Sequence, residues 1–387
     1  MITLTSESEK STRDAEAIYS DFRGRFPIFR EKIYLNSCSQ GALSDVVKQA
    51  LNEFTRSWTR RGSPWDLWVD VQEELRLEFA AMIGADADEV AITYSASSAI
   101  SAVASALDFE RRPKVLMGKL EFPAMGQLWL AQVPRGACIT WVPDHLGTNT
   151  PEDYRKHADD RTLIVPATHV CFRNGFRNDA AGIADAAHEA GALFMLDDYQ
   201  SCGSRPVDVR ALKADFFVAG ALKYLLGTAG VAFLFVRKEL IESLQPTLTG
   251  WFAQVDPFAF DSLHHRPSPT ARRFQSGTPP IASIYAALAG IRLLRRLGFE
   301  RVERRIAGLA RRFIEGALSR GWKLRTPHDS RGPLVVIEAP DSERLVAELE
   351  KRGIIVSSRQ GGLRVSFHAY NAPGDVDATL EALGRLL

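Results

Sequence analysis

The sequence predicts an α/β protein built on a doubly wound, mainly parallel sheet. Three observations carry that reading. Short apolar runs alternate with helical stretches along most of the chain, the pattern of strands joined by crossover helices. The runs are apolar throughout, as in strands covered on both faces. Two of them also end in reactive groups. Leu193-Phe194-Met195-Leu196 stops at Asp197-Asp198, and Phe216-Phe217-Val218-Ala219 is followed by Gly220-Ala221-Leu222-Lys223. Open α/β sheets bind ligands just beyond the carboxyl ends of their strands.

The bulk properties fit that class. With 387 residues, 45% hydrophobic and 25% charged, the chain has enough apolar material for a large core in two domains. Lys+Arg 48 against Asp+Glu 47 leaves a net charge of +1, which points to neither nucleic acid nor an anionic membrane as partner. No run approaches the ~18 apolar residues of a membrane helix, and MITLTSESEKSTRDAEAIY has no apolar signal core. Cys38, Cys138, Cys171 and Cys202 show no metal-ligand spacing. A reduced, cytoplasmic protein without a metal is expected.

In order, residues 1–25 form a polar arm that turns helical near Arg13–Arg23. Ile33-Tyr34-Leu35-Asn36 is a short strand that breaks into the small-residue turn Ser37–Gly41. Ser44 caps a helix over Asp45–Arg61, and a second helix over 65–83 closes at Gly84. Strand Val90–Tyr94 runs through Ser95-Ala96-Ser97-Ser98-Ala99 into a helix over Ile100–Leu107. A strand, a small-residue turn and a helix start either cap a helix or hold an anion on backbone N–H groups and hydroxyls. Val115–Met117 leads to Glu121-Phe122-Pro123 and a helix over Ala124–Gln132. Strands Cys138–Val142 and Thr162–Ala167 follow, then helix Ala180–Ala190 and the two opening runs. Strand Val231–Val236 lies antiparallel, at an edge or beside the strand before Lys223.

Residues 245–280 are rich in Pro, Gly and aromatics, and so long a connection leads to a second domain or a partner subunit. Helices Ile281–Leu297 and Glu300–Arg320 precede a return to α/β texture. That ending has strand Leu334–Glu338, helix Ser342–Arg352, strands Ile354–Val356 and Leu363–Phe367, and helix Asp375–Leu386. The division expected is an arm over 1–25, a large domain over 26–270 and a small C-terminal α/β domain over 271–387, completed by the N-terminal segment.

The motif order is serine turn, Glu-Phe-Pro, Asp-x-x-Gln, Ala-Leu-Lys, Gly-Thr-Pro and a late Arg-x-Ser. It resembles the class V aminotransferase family of pyridoxal 5′-phosphate (PLP) enzymes, fold type I, from about Tyr34 to the C-terminus. Its nearest motif likenesses are to kynureninases, isopenicillin-N epimerases and cysteine desulfurases. The resemblance implies a seven-stranded sheet. It makes Lys223 the Schiff-base lysine, Asp197 the carboxylate on the pyridine nitrogen and Gln200 the ligand of the ring oxygen. Ala96, Ser97 and Ser98 match the phosphate turn, and Phe122 the aromatic stacked on the ring. Trp251 and Thr278 match residues that reach the phosphate from a neighbouring subunit, which implies a homodimer with shared sites. Arg364 matches the arginine that grips the substrate carboxylate, a task suited to a planar guanidinium. Asn36 and Arg173 are further candidates to face the substrate, with Arg359 as a second anion grip.

Departures from the pattern bear on the reaction. Leu222 stands where the family offers histidine or tyrosine, and Gly220-Ala221 where it offers serine, so phosphate binding leans on Ser97, Ser98 and Thr278. The segment Ser357–Leu363 has no cysteine, which argues against persulfide-forming desulfuration. The expected function is amino-acid chemistry on PLP, by transamination or β/γ-lyase reaction. Epimerisation and a non-catalytic relic of the fold are the alternatives.

Overall fold

The structure, a computed structural model, describes residues 16–387. The expected arm over 1–25 lies largely outside that range, and its described part, 16–24, is helical (α1). The central sheet has seven strands: β2 (Val90–Thr93), β3 (Lys114–Gly118), β4 (Cys138–Val142), β5 (Thr162–Thr168), β6 (Leu193–Asp197), β7 (Phe216–Gly220) and β8 (Ala232–Val236). Their spatial order is β2-β8-β7-β6-β5-β3-β4. Pairings from β7 across to β4 are parallel, whereas β8 is antiparallel to both neighbours. The antiparallel strand expected at an edge or beside β7 is therefore internal, wedged between β7 and β2.

Alternation of side chains across each strand explains the two-sided burial. Phe194 and Leu196 of β6 join Phe217 and Ala219 of β7 on one face, with helix α3 (Trp65–Ile83) and α9 (Ile281–Leu297). Met195, Phe216 and Val218 join the other face, with α4 (Ala96–Ala106) and α5 (Pro123–Leu130). Phe79 of α3 stacks on Phe233 of β8 with centroids 3.8 Å apart. Among the described residues no helix is long and apolar enough to cross a membrane.

Capping residues act as their chemistry requires. Ser44 accepts from the Val47 amide at the start of α2 (Asp45–Arg61), and Gly84 takes the left-handed conformation that ends α3. Two local expectations fail. The helix after β2 begins at Ala96 rather than Ile100, because Ser95 and Ser98 form a reciprocal capping box that draws the serine turn into its first turn. A short helix, α6 (Pro151–His157), started by a Thr150 capping box, stands between β4 and β5, where no element is expected from the sequence.

At the C-terminal end, β9 (Leu334–Glu338), β11 (Ser357–Arg359) and β12 (Gly362–Ser366) make an antiparallel sheet ordered β11-β12-β9. The cysteine-free segment Ser357–Leu363 before Arg364 is thus partly strand. β1 (Ile33–Tyr34) pairs in parallel with β10 (Ile354–Ile355), and Asn36 bridges Ser366. Arg23 also grips Asp375 through two hydrogen bonds of 2.7 and 3.0 Å, so the N-terminal segment docks on the C-terminal part. Between the two parts, residues 271–274 form a single turn whose Ala271 and Phe274 are buried in the α4 face.

Candidate active site

Thr168, Asp197 and Gly220 are the last residues of β5, β6 and β7, so their carboxyl ends form one rim. Above that rim is a cavity of about 270 Å³. Ser95, Ala96 and Ser97 close one end, and Phe122 and Phe172 form a T-shaped aromatic wall with centroids 5.1 Å apart. Asp197, Tyr199, Gln200, Leu222 and Lys223 also line the cavity. The chain thus brings six of its sequence-predicted residues to one place: Ala96, Ser97, Phe122, Asp197, Gln200 and Lys223.

The adjacent acids at the end of β6 part ways. Asp197 lines the cavity and accepts from the Tyr199 amide at 2.9 Å. Burial pushes its carboxyl up to about 6, against the opposing pull of that amide and of Lys223. Asp198 turns inward, where His169 Nδ1 lies 2.8 Å from Oδ1 and Ser201 donates to the same oxygen. An acid pair that is ambiguous by sequence becomes one site acid and one structural acid.

Lys223 follows β7 in a turn braced from behind. The Gly41 amide donates to Leu222 O at 2.8 Å, and a Cβ on Gly41 would collide with Lys223 O. The small-residue turn at Ser37–Gly41 is therefore required by close backbone approach. Burial lowers the Lys223 amine to about 8, with Cys38 and Asp197 acting against that fall and the Arg364 and Arg359 charges assisting it. Its Nζ lies 4.8 Å from the Tyr199 ring centroid and 5.9 Å from that of Phe122.

The remaining predicted residues are arranged around the cavity or away from it. Ser98 spends its hydroxyl on the α4 cap, donating to Ser95 O at 2.8 Å, and Ser95 takes the place in the wall. Arg364 is 2% exposed and stands behind the wall, donating to Phe172 O, Ser39 Oγ and Ser357 Oγ at 3.1 Å each. Asn36 Oδ1 accepts from the Cys38 thiol at 3.8 Å. Arg173 stacks on Phe172 at 5.4 Å, its Nε buried without a partner. Arg359 donates to Ser358 O. Trp251 and Thr278 lie outside the cavity. Trp251 packs edge-on against Trp65 and Phe252, and exposed Thr278 offers its carbonyl to Tyr94 Oη at 3.0 Å.

Sequence reasoning passed over Ser39, Thr168, Phe172 and Tyr199, all of which line the cavity. For Ser39 a signal existed in the turn Ser37–Gly41. Tyr199 sits inside the Asp-x-x-Gln motif, at a position that pattern leaves open.

Comparison with known proteins agrees with this geometry. The class V aminotransferase family model matches residues 42–379. An uncharacterized aminotransferase of Bacillus subtilis, YcbU, is 32% identical over 369 residues, which is 95% of this chain and 98% of that protein. Kynureninase of Deinococcus radiodurans is 29% identical, over 97% of this chain and 94% of its own. The apo structure of a cysteine desulfurase from Thermococcus onnurineus superposes with a TM-score of 0.86 at 25% identity, covering 95% of this chain and 97% of that one.

Proposed function

Because this chain belongs to the class V aminotransferase family and its cofactor is pyridoxal 5′-phosphate, we propose that it acts on an amino-acid substrate with Lys223 as the base that moves the Cα proton. The observation that carries the reading is the pairing, in one cavity, of a buried acid raised to about 6 with a buried lysine lowered to about 8.

The residues present fit the cofactor. Asp197 is a buried carboxylate facing the cavity, suited to a cationic ring nitrogen, and Gln200 keeps its Oε1 buried without a partner there. Asp197 would hold the ring nitrogen, Gln200 the ring oxygen, Phe122 the ring face, and Ala96 and Ser97 the phosphate, with N–H groups at the start of α4. When bound, the cofactor supplies an electron sink for the carbanion at Cα. Burial gives the Lys223 amine a neutral fraction near physiological pH that an ordinary lysine lacks, and that neutral form can accept the proton. Arg364, released from Ser39 and Ser357, would take the substrate carboxylate in a bidentate grip. Where Lys223 returns its proton separates transamination, loss of a β- or γ-group, and epimerisation at Cα.

We read residues 26–270 as the cofactor-binding part and 271–387 as the part that presents Arg364, with a homodimer as the working unit. Supporting the dimer, Phe260 and Leu263 are 73% and 86% exposed in the same segment as Trp251. In that dimer we propose that Trp251 and Thr278 of one subunit reach the cavity of the other. A cytoplasmic setting is proposed from four free cysteines, three of them buried.

The test is chemical. Borohydride should fix the cofactor to Lys223, located by peptide mass, and a protein that takes up no PLP would overturn the reading. Among amino acids offered to the holoenzyme, accumulation of the pyridoxamine form marks transamination. Release of ammonia, alanine or a keto acid without it marks a lyase.

A further inference from the structure

The cavity's anion end is short of side-chain donors. Gly220 and Leu222, the residues flanking the approach to Lys223, have no polar side chain, and Ser98 is committed to the α4 cap. The structure fills the gap from another strand. A Cβ on Gly220 would overlap Cε2, Cζ and Oη of Tyr199, so the outer half of that ring occupies the space where a side chain at 220 would begin. Tyr199 follows the end of β6. The ring therefore reaches from the end of β6 across the last residue of β7. Ser95, Ala96 and Ser97 of the serine turn after β2 line the same cavity as Tyr199. Lys223 Nζ stands 4.8 Å over the ring, which keeps the tyrosine beside the attachment point of the cofactor.

Two further facts suit the hydroxyl to an anion. Tyr199 is half-buried at the cavity wall, and its hydroxyl makes no hydrogen bond among the described residues, so it is open to a ligand. Burial and the Asp197 charge push its ionisation well above the ordinary range, so it remains a neutral donor.

From this geometry we infer that Tyr199 Oη donates a hydrogen bond to the phosphate monoester of the cofactor, supplying from β6 the ligand that positions 220 and 222 lack. The inference rests on the cofactor reading above. It also accounts for Gly220: a serine there would displace the ring that does its work.

The test compares the equilibrium binding of PLP with that of pyridoxal, which lacks the phosphate, to the apoprotein. Tyr199→Phe keeps the ring and removes only the hydroxyl. It should weaken PLP on the order of ten- to a hundredfold, the range for a hydrogen bond to a charged group, and leave pyridoxal unchanged. In a second pair, Gly220→Ser added to Tyr199→Ala should recover PLP affinity relative to Tyr199→Ala alone, whereas Gly220→Ser in the native chain should weaken it. Unchanged PLP binding in Tyr199→Phe overturns the inference, as does an equal loss for both ligands, which would mark a packing role. If the native chain binds PLP and Tyr199→Phe binds it equally well, only this inference fails. If the native chain binds none, the cofactor reading fails with it.

Discussion

Arg364 donates to Ser39 Oγ at 3.1 Å across 325 positions of chain, joining the antiparallel C-terminal sheet to the wall of the cavity above the central one. The same guanidinium holds Phe172 O and Ser357 Oγ, so every partner it has in this state is neutral. A buried cation with neutral partners is poised to receive a carboxylate. With the best substrate from the amino-acid panel, Arg364→Lys should lower kcat/KM by ~100-fold, about 3 kcal/mol. PLP affinity should stay near the native value. A loss of PLP binding of the same size would assign Arg364 to scaffold instead.

The acid and the lysine of the cavity should leave opposite signatures in the pH dependence of the apoprotein. Asp197 is raised to about 6, so its contribution to stability is whole below its ordinary 3.8 and is lost as the pH rises through about 6. Lys223 is lowered to about 8, so its contribution is whole above its ordinary 10.5 and is lost as the pH falls through about 8. Near neutrality both groups oppose folding. Lys223→Met should therefore stabilise the apoprotein at pH 7 by about 2–3 kcal/mol, with the gain shrinking as the pH approaches 10. Urea unfolding across that range reads the difference, and a gain independent of pH would contradict the assignment.

Asp197 and Asp198 should separate cleanly by readout. Asp197→Asn should remove most of the activity and, by the same linkage, make the apoprotein more rather than less stable at pH 7. Asp198→Ala leaves His169 and Ser201 facing an empty buried site without their acceptor, and should cost about 1–3 kcal/mol of stability. Kinetics and urea unfolding on the two variants check this together, and equal kinetic defects at equal stability would refute it.

Glu121 makes a different prediction. Its carboxyl is 5% exposed with neither oxygen hydrogen-bonded, and Tyr154 Oη and Asn149 Oδ1 nearby are also without partners. Burial raises it well above the carboxylate range, and the Asp197 charge adds to the rise. A raised folded value means the stabilising contribution is full below about 4.5 and lost as the pH rises through the folded value. Glu121→Gln, which mimics the neutral acid in shape, should match the native chain near pH 4 and gain on it towards pH 8. Parallel stability curves for the two would show that Glu121 ionises freely.

Much of this architecture was legible because its signals are local. Each strand of the central sheet is a contiguous apolar run, and Ser44 and Gly84 act through bonds within a few residues of themselves. The extended start of α4 was less legible, since its capping box uses serines at positions where acidic or amide side chains are the usual partner. β8 was recognised as a strand and as antiparallel, but its internal place depends on which edges remain open once the other strands have paired.

By itself the sequence determined that an acid and a lysine stand at the ends of two buried strands, because periodicity and run length decide where strands stop. Only the tertiary structure decided which acid faces the cavity, that Ser95 replaces Ser98 in its wall, and that Tyr199 lies over Gly220. Those outcomes rest on side-chain direction and on contacts between strands adjacent in space but distant in sequence. No local pattern of residues encodes such contacts.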